Sequence, residues 1–397
     1  MEHLIGMKKN YLVYLIAALY ILSGCCKDKS PSNETAPLDF YFGADLSYVN
    51  QLLDKGATYK QNGEITDPYS IFANEGTHLV RFRMWNNPLW TKELYGEDGT
   101  QMYNDLYDVA TSMQKAKENN MEVLLDLHYS DTWADPGKQY IPKAWENITS
   151  IDVLKDSVYN YTLATLNYLE SQGLVPAMIQ IGNETNCGMM YTDAPPNFPE
   201  INVCNGNWSS YKSVVNSAIS AVKQFNTTKG VAIKTVLHVA DIKNVDWWFE
   251  NITSGTDAVN FDIIGISYYP LWHKTIPLSE VGDNVATIKG KFNKEVMIVE
   301  VAYPWTSEGK DTMPNLFGGE APLEGYPFTV EGHLKLMTDL SRDVKNAGAL
   351  GIIYWEPAWI AYPIKTLWGT GSSWENCTFF DYNNNASSSF DYMKVAY

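Results

Sequence analysis

The sequence predicts an α/β fold, a single (β/α)8 TIM barrel with long loops after several of its strands. Three observations support this prediction. Eight short apolar runs rich in β-branched residues recur along the chain, segments of helical periodicity separate several of them, and no Pro/Gly/Ser-rich linker divides the chain. Such alternation is typical of parallel strands that are joined by crossover helices.

The eight predicted strands follow one another at intervals that leave room for a helix or a long loop. They are Phe40–Asp45, Leu79–Trp85, Val123–Tyr129, Ala177–Asn183, Lys234–Val239, Phe261–Ser267, Val296–Val301 and Gly351–Trp355. Barrels of this kind average about 250 residues, and the chain from the first strand to its end is considerably longer. The extra length predicts long loops over residues 132–150, 185–208 and 303–330.

Amphipathic segments precede the third, fourth, fifth and eighth predicted strands. Their apolar residues share one helix face in each case. These faces are Leu106, Val109, Ala110 and Met113; Leu154, Val158, Tyr161, Thr165 and Leu169; Val215, Ala218, Ile219, Val222 and Phe225; and Leu334, Met337, Leu340 and Val344. Gly173 is a natural stop for the second of these helices.

The composition is that of a folded globular protein, with 45% hydrophobic and 19% charged residues. The formal net charge is −17. Because phosphate repels so acidic a chain, nucleic acid is not an expected partner. Aromatic residues make up 13% of the sequence. They indicate either an aromatic-rich core or a groove whose flat rings stack on sugars.

The first 38 residues read as an export signal and a tether. Two lysines precede an apolar run from Tyr11 to Leu22, which is short for a membrane-spanning helix. The sequence Leu22-Ser23-Gly24-Cys25 resembles a bacterial lipobox, which implies cleavage before Cys25 and lipidation of its sulfur. An ordinary signal anchor is the alternative. The predicted division is a signal peptide over 1–24, a lipid-anchored tether over 25–38 and a barrel over 39–397.

This reading makes the protein an exported lipoprotein of the outer membrane, with exposure at the cell surface as a further alternative. Its membrane contact is the lipid anchor. Nothing in the sequence asks for more than a monomer. Export into an oxidising compartment makes a disulfide between Cys187 and Cys204 plausible, and no CxxC spacing suggests zinc.

Two glutamates dominate the predicted chemistry. Glu184 closes the fourth apolar strand and Glu300 closes the seventh. Barrel enzymes work at the carboxyl ends of their strands, and these two strands lie across the barrel mouth from each other. Glycoside hydrolysis requires two such carboxyl groups. One donates a proton to the leaving oxygen, and the other stays ionised and attacks the anomeric carbon as the nucleophile. The alternative is that each glutamate forms a structural salt bridge with an arginine.

Three neighbours of the glutamates have candidate roles of their own. Asn183 is expected to hydrogen-bond the sugar 2-OH. Tyr268, after the sixth strand, is expected to hold the nucleophile. Arg83 is expected to keep Glu300 ionised.

Further residues at the strand ends are candidates for substrate binding or support. His128 and His238 either bond sugar hydroxyls or orient the carboxylates, although a buried structural histidine is an equal alternative. Trp355 is a candidate floor beneath the reacting sugar. Asp126 and Glu356 do not pair across the barrel, so they are expected to support the other groups.

Longer strings at the strand ends resemble glycoside hydrolase family 53. The strings are Gly43–Tyr48, Arg81–Pro88, His128–Gln139, Gln180–Glu184, Ile264–Pro270, Val299–Pro304, Pro327–Val330 and Tyr354–Ile360. They occur in matching order from about residue 40 to residue 385. The resemblance implies an endo-β-1,4-galactanase that acts on galactan and type I arabinogalactan, the side chains of pectin.

Site roles follow from the same resemblance. Glu184 is implied as the acid/base and Glu300 as the nucleophile, with no cofactor in the chemistry. Asp45 joins the substrate-binding candidates. Five tryptophans become candidates for sugar stacking: Trp85, Trp133, Trp272, Trp305 and Trp359.

One departure from the family concerns calcium. Some bacterial relatives bind calcium in the loop after the seventh strand, but residues 307–320 here show no clear spacing of oxygen ligands, so no metal is predicted. Two other functions stay open. One is a different retaining endo-glycanase, such as a mannanase or cellulase, and the other is a non-catalytic glycan-binding lipoprotein.

Overall fold

The computed structural model describes residues 38–397, and its eight longest strands close into a parallel barrel. The predicted signal peptide and Cys25 lie outside the described residues. The strands are β1 (Tyr41–Asp45), β2 (Leu79–Met84), β3 (Glu122–Leu127), β4 (Met178–Ile181), β5 (Lys234–Ala240), β6 (Ile263–Ser267), β7 (Glu295–Val301) and β8 (Gly351–Tyr354). All eight predicted strands and the predicted fold class are therefore confirmed.

Helices join the strands on the outside of the barrel. Those of the described residues are α1 (Val49–Asp54), α2 (Pro68–Glu75), α3 (Leu89–Glu93), α4 (Leu106–Glu118), α5 (Ile151–Ser171), α6 (Trp208–Lys229), α7 (Val245–Ile252), α8 (Val281–Phe292) and α9 (Val330–Asn346). The four predicted amphipathic segments lie within α4, α5, α6 and α9. No helix between residues 38 and 397 is both long enough and apolar enough to cross a membrane.

The interior of the barrel is filled by a small apolar cluster to which every strand contributes. Its members are Tyr41, Leu79, Leu124, Met178, Val236, Ile263, Met297, Val299 and Ile353. Because side chains alternate between the two faces of a strand, residues two positions further along also point inward. This periodicity determines which side chains reach the carboxyl ends of the strands from inside the barrel.

An irregularity in β7 changes that periodicity. Ile266 of β6 pairs with Ile298, whereas the next residue, Ser267, pairs with Glu300. One extra residue, Val299, is thus inserted into β7, as in a β-bulge. Met297 and Val299 point inward, and regular alternation would turn residue 300 outward. The bulge instead places Glu300 on the inside.

The three predicted long loops contain no α-helix up to the start of α6 at Trp208 and that of α9 at Val330. They follow β3, β4 and β7, so all three lie at the carboxyl ends of strands. The second loop is closed by a disulfide between Cys187 and Cys204, as the sequence suggests. The remaining cysteine of the barrel, Cys377, is buried.

Close packing inside the barrel makes Gly265 a sensitive position. A Cβ atom there would lie 2.9 Å from Val236 Cγ1 and 3.2 Å from Val299 Cγ2. We expect Gly265→Ala to lower the free energy of unfolding by about 1–3 kcal/mol through overpacking. Urea denaturation followed by circular dichroism measures the change.

Gly290 in α8 is the matched control, because no atom lies within 4 Å of a Cβ placed there. We expect Gly290→Ala to stabilise the protein by about 0.5–1 kcal/mol through helix propensity. Equal stability of the Gly265→Ala variant and the wild type would contradict the packing argument.

Candidate active site

A layer of polar side chains lies directly above the apolar cluster of the barrel interior. Arg81, Asp126, Gln180 and His238 each follow an inward apolar residue by two positions. All four are almost completely buried. Burial of so many polar groups is costly unless they have hydrogen-bond partners. Their partners are described next, because they fix the positions of the side chains at the site.

Arg81 is the centre of this network. Its Nη1 lies 2.9 Å from an oxygen of Asp45 and 2.9 Å from an oxygen of Glu300. Its Nη2 lies 2.8 Å from Asp126 and donates to Asn183 Oδ1 at 2.7 Å. One guanidinium therefore joins carboxylates of β1, β3 and β7.

Glu300 has a second partner besides Arg81. The hydroxyl of Tyr269 donates to Glu300 Oε2 at 2.7 Å. Tyr269 follows Ser267 by two positions, so it shares the inward face of β6. Both oxygens of Glu300 are thus held, one by a cation and one by a phenol.

Glu184 stands just beyond the end of β4 in a backbone conformation with φ of 45°. Tyr129, Asp241 and Glu356 adopt positive φ values just beyond β3, β5 and β8. Non-glycine residues in this region cost about 1–3 kcal/mol each and concentrate at functional sites. Strained backbone is therefore found just beyond the carboxyl ends of four strands, all at the same rim of the barrel.

A hydrogen-bonded chain fixes the Glu184 side chain. Ser267 Oγ donates to Glu184 Oε1 at 2.6 Å, and His238 Nε2 lies 2.8 Å from the same hydroxyl. The pKa of His238 is well below its ordinary value, mainly because of burial and also because of Arg81. A neutral histidine therefore supports the serine that contacts Glu184.

The two glutamates differ in what surrounds their charge. Burial, followed by the charge of Glu300, raises the pKa of Glu184 well above its ordinary value. Burial also raises the pKa of Glu300, but Arg81 and the Tyr269 hydroxyl act in the opposite direction. The proton of the pair therefore resides on Glu184, while Glu300 is the carboxylate.

The carboxyl groups of Glu184 and Glu300 are much closer than those of an inverting glycosidase. Ligand atoms of Glu184, His238 and Glu300 lie within 4.8 Å of one another. Retaining enzymes have carboxyl groups about 5–5.5 Å apart, and inverting enzymes about 6.5–9.5 Å. These three side chains are also the group among residues 38–397 that lies close enough to hold a metal ion, but the adjacent Arg81 cation opposes metal binding.

Asp311, in the loop after β7, uses both of its carboxylate oxygens in hydrogen bonds, and Glu375, beyond β8, packs against the same loop. Asp311 accepts hydrogen bonds from the backbone N–H groups of Met313 and Ser372, both at 2.7 Å. Glu375 accepts the backbone N–H of Lys310 at 2.5 Å. These contacts do not fit the six to eight free oxygen ligands that calcium takes, and we assign no metal there.

Two predicted contacts of Glu300 are wrong. Arg83 pairs with Glu356 instead of Glu300, and it lies between the rings of Tyr48 and Trp133, 4.3 Å from each centroid. Arg81, the preceding inward residue of β2, contacts Glu300 in its place.

The predicted contact of Tyr268 with Glu300 is made instead by the next residue, Tyr269. Tyr268 donates to the carbonyl of Ile276 at 3.1 Å, and Tyr269 holds Glu300. Alternation from the inward Ile263 and Ser267 would have selected Tyr269.

The other predicted polar residues meet at the site in supporting positions. Asp45 is fully buried and binds Arg81, so it lies below the open cleft. His128 contacts Asp126 at 3.0 Å and accepts from Trp85 Nε1 at 3.1 Å. His128 and His238 thus use both ring nitrogens inside the protein. This arrangement suits orientation of neighbours better than direct contact with sugar.

Asn183 keeps its side chain beside the glutamates. Its Nδ2 donates to the carbonyl of Ala134 at 2.8 Å, and its oxygen receives Arg81. Arg81, Tyr269, Ser267 and Gln180 were not predicted as site residues, although the period of two along β2, β4 and β6 carries the signal for all four.

The predicted stacking tryptophans fall into two groups. Trp85 and Trp359 are 1% and 2% exposed, which leaves a sugar little of their surface. Trp133, Trp305 and Trp355 are half-buried, and Trp272 is 42% exposed. The rings of Trp133 and Trp355 are 5.9 Å apart. Partly exposed rings thus remain for a sugar at Trp133, Trp272, Trp305 and Trp355.

Known proteins share this sequence and fold. The family model of glycosyl hydrolase family 53 matches residues 41–393. The chain is 40% identical to an arabinogalactan endo-β-1,4-galactanase of Cellvibrio japonicus over 98% of each chain. It is 32% identical to an endo-β-1,4-galactanase of Bacillus subtilis, with 87% of this chain and 78% of the relative covered.

A solved structure gives the same result. The family 53 catalytic domain from Ignisphaera aggregans matches with a TM-score of 0.78 and 34% identity, over 92% of this chain and 98% of that domain. The match of the family model, the identity to relatives and the two glutamates at β4 and β7 agree. The chain belongs to glycosyl hydrolase family 53.

Proposed function

We propose that the protein is a retaining endo-β-1,4-galactanase, which hydrolyses bonds within galactan and type I arabinogalactan. The single observation that carries the proposal is the pair of Glu184 and Glu300, buried within reach of each other in a family 53 chain. The relatives from C. japonicus and B. subtilis are named as galactanases, which supports galactan as the substrate.

The first step forms a bond between enzyme and sugar. Glu300, whose charge is stabilised by Arg81 and by the Tyr269 hydroxyl, attacks the anomeric carbon through a carboxylate oxygen. The bond from that carbon to the glycosidic oxygen breaks, and Glu184 gives this oxygen its proton. The raised pKa of Glu184 keeps that proton available.

The second step releases the sugar. Once Glu300 is esterified it no longer carries the charge that raises the pKa of Glu184, so that pKa falls. Glu184 is then suited to take a proton from an incoming water. The water oxygen bonds to the anomeric carbon, Glu300 leaves as a carboxylate, and the product is the β-anomer.

Substrate contacts are part of the proposal. Asn183, held by Arg81 and Ala134, would bond the sugar 2-OH, and Trp355 would support the ring of the reacting sugar. Trp133 and Trp272, whose rings are partly exposed, would stack on neighbouring sugars. The reaction as written uses only side chains and water, so we propose that it needs no cofactor.

The two alternative functions have less support. A mannanase or cellulase would share the two glutamates, but the family model and the named relatives favour galactan. A purely glycan-binding barrel would not need a proton held on one buried glutamate beside a second one balanced by an arginine.

We also propose a location from the sequence. Residues 1–24 would be a signal peptide, and lipid on Cys25 would tether the barrel through residues 25–38 to the outer membrane. An enzyme held there, as a monomer, would meet polymer too large to import.

Product analysis tests the reaction. We expect linear β-1,4-galactan to yield short oligosaccharides that appear first as the β-anomer in proton NMR spectra. Glu184→Ala should lower kcat/KM on galactan by about 10²- to 10⁴-fold, because the leaving oxygen loses its proton donor.

Leaving groups separate the two roles. The dinitrophenolate group of a dinitrophenyl β-galactoside leaves without needing a proton. The Glu184→Ala variant should therefore still form the glycosyl-enzyme from this substrate, whereas the Glu300→Ala variant should not. Intact galactan after incubation with the wild type, or first products in the α form, would contradict the proposal.

The hydroxyl of Tyr269 lowers the pKa of Glu300, so we expect Tyr269→Phe to raise that pKa. The nucleophile must be ionised, and the acidic limb of the kcat/KM profile should therefore move to higher pH. Tyr268→Phe is the matched control, since it removes only a bond to a carbonyl. Equal shifts in both variants would refute the assignment of Tyr269.

The anchor is tested by labelling cells with a palmitate analogue. We expect label on the wild-type protein and none on Cys25→Ala, which should also be released from the membrane fraction. Label retained by the variant would rule out Cys25 as the modified residue.

A further inference from the structure

Two tryptophans outside the cleft form an exposed aromatic surface, the rim tryptophan pair Trp208 and Trp247. Trp208 begins α6 and Trp247 lies in the first turn of α7. Helices that follow barrel strands begin at the face where the strands end. The pair therefore lies on the same face of the barrel as Glu184.

Both rings present surface to solvent. Trp247 is 45% exposed and Trp208 is half-buried. Their centroids are 5.4 Å apart and their planes are inclined at 68°. Contiguous exposed apolar surface is a feature of binding sites in soluble proteins, whereas single scattered apolar residues are ordinary.

The pair is held firmly to the residues around Glu184. The ring of Trp208 packs 5.9 Å from that of the buried Trp248. Trp248 Nε1 in turn donates to the carbonyl of Thr185 at 2.8 Å, and Thr185 directly follows Glu184. The disulfide between Cys187 and Cys204 closes the loop that leads to Trp208. The position of the pair relative to the cleft is therefore fixed.

The charged groups near the pair carry one more carboxylate than cations. Lys291 lies 3.1 Å from Asp246 and 2.7 Å from Glu250, the acidic residues on either side of Trp247 in α7. Lys243 pairs with Asp241 at 2.8 Å. With a net charge of −17 on the whole chain, this surface does not suit an anionic polymer. A neutral ligand with flat C–H faces, such as a chain of hexopyranoses, suits it.

We propose that the rim tryptophan pair is a second binding surface, which holds a β-1,4-galactan chain outside the catalytic cleft. The identity of the sugar rests on the proposed function. A second contact on one polymer raises apparent affinity because its binding becomes intramolecular. A short oligosaccharide in the cleft gains nothing from it.

Binding to long and short ligands tests the proposal. In a Glu300→Ala background, which prevents turnover, we expect Trp247→Ala to raise the Kd for linear β-1,4-galactan about fivefold, as expected for loss of one stacking contact. The Kd for galactotetraose should stay the same. Isothermal titration calorimetry measures both, and Trp247→Phe should retain most of the affinity for the polymer.

Tyr107→Ala serves as the matched control, because Tyr107 is 65% exposed on α4 away from this surface. It should bind both ligands as the parent does. Unchanged affinity of Trp247→Ala for polymer, or an equal loss for tetraose, would overturn the proposal. The proposal would also be overturned if the wild type were a dimer and Trp247→Ala dissociated it while the Kd for the polymer stayed the same. Failure of the proposed function would appear separately, as intact galactan with the wild-type enzyme.

Discussion

The site depends on one buried cation. The guanidinium of Arg81 lies within 2.9 Å of Asp45, Asp126 and Glu300, three carboxylates from three strands. Burial of such charges is expensive, and loss of one partner typically costs about 3–5 kcal/mol because a charge is left uncompensated. The arrangement therefore requires all four residues together. It ties β1, β2, β3 and β7 into a fixed geometry at the rim where the chemistry takes place.

The same cation divides the roles of two chemically identical side chains. Glu300 contacts Arg81 and a tyrosine hydroxyl, whereas Glu184 contacts Ser267 and takes the effect of Glu300's charge. Neighbours rather than residue type thus decide which carboxyl group holds a proton. Each glutamate also stands on irregular backbone, with positive φ at Glu184 and a bulge at Glu300.

Much of this could be predicted from the sequence because it depends on local pattern. The strands follow from β-branched runs, and Glu184 and Glu300 follow from carboxylates at their ends. The sequence does not distinguish Arg81 from Arg83 as the partner of Glu300, because both point inward and their depth in the barrel depends on the stagger between strands. The period of two along β6 indicates Tyr269, and not Tyr268, as the inward side chain. The burial of Trp85 and Trp359 depends on the loops that fold over them.

The bulge in β7 has a consequence for how such an enzyme changes over evolutionary time. Regular alternation beyond Met297 and Val299 would turn residue 300 away from the barrel interior. Loss of the single codon for Val299 would restore regular alternation, with Met297 inward, Ile298 outward and Glu300 inward, so the carboxylate would keep its side of the strand. In a strand without a bulge, the loss of one residue turns every later side chain to the opposite face, whereas the bulge of β7 can be removed in one genetic step with the carboxylate still facing the barrel interior.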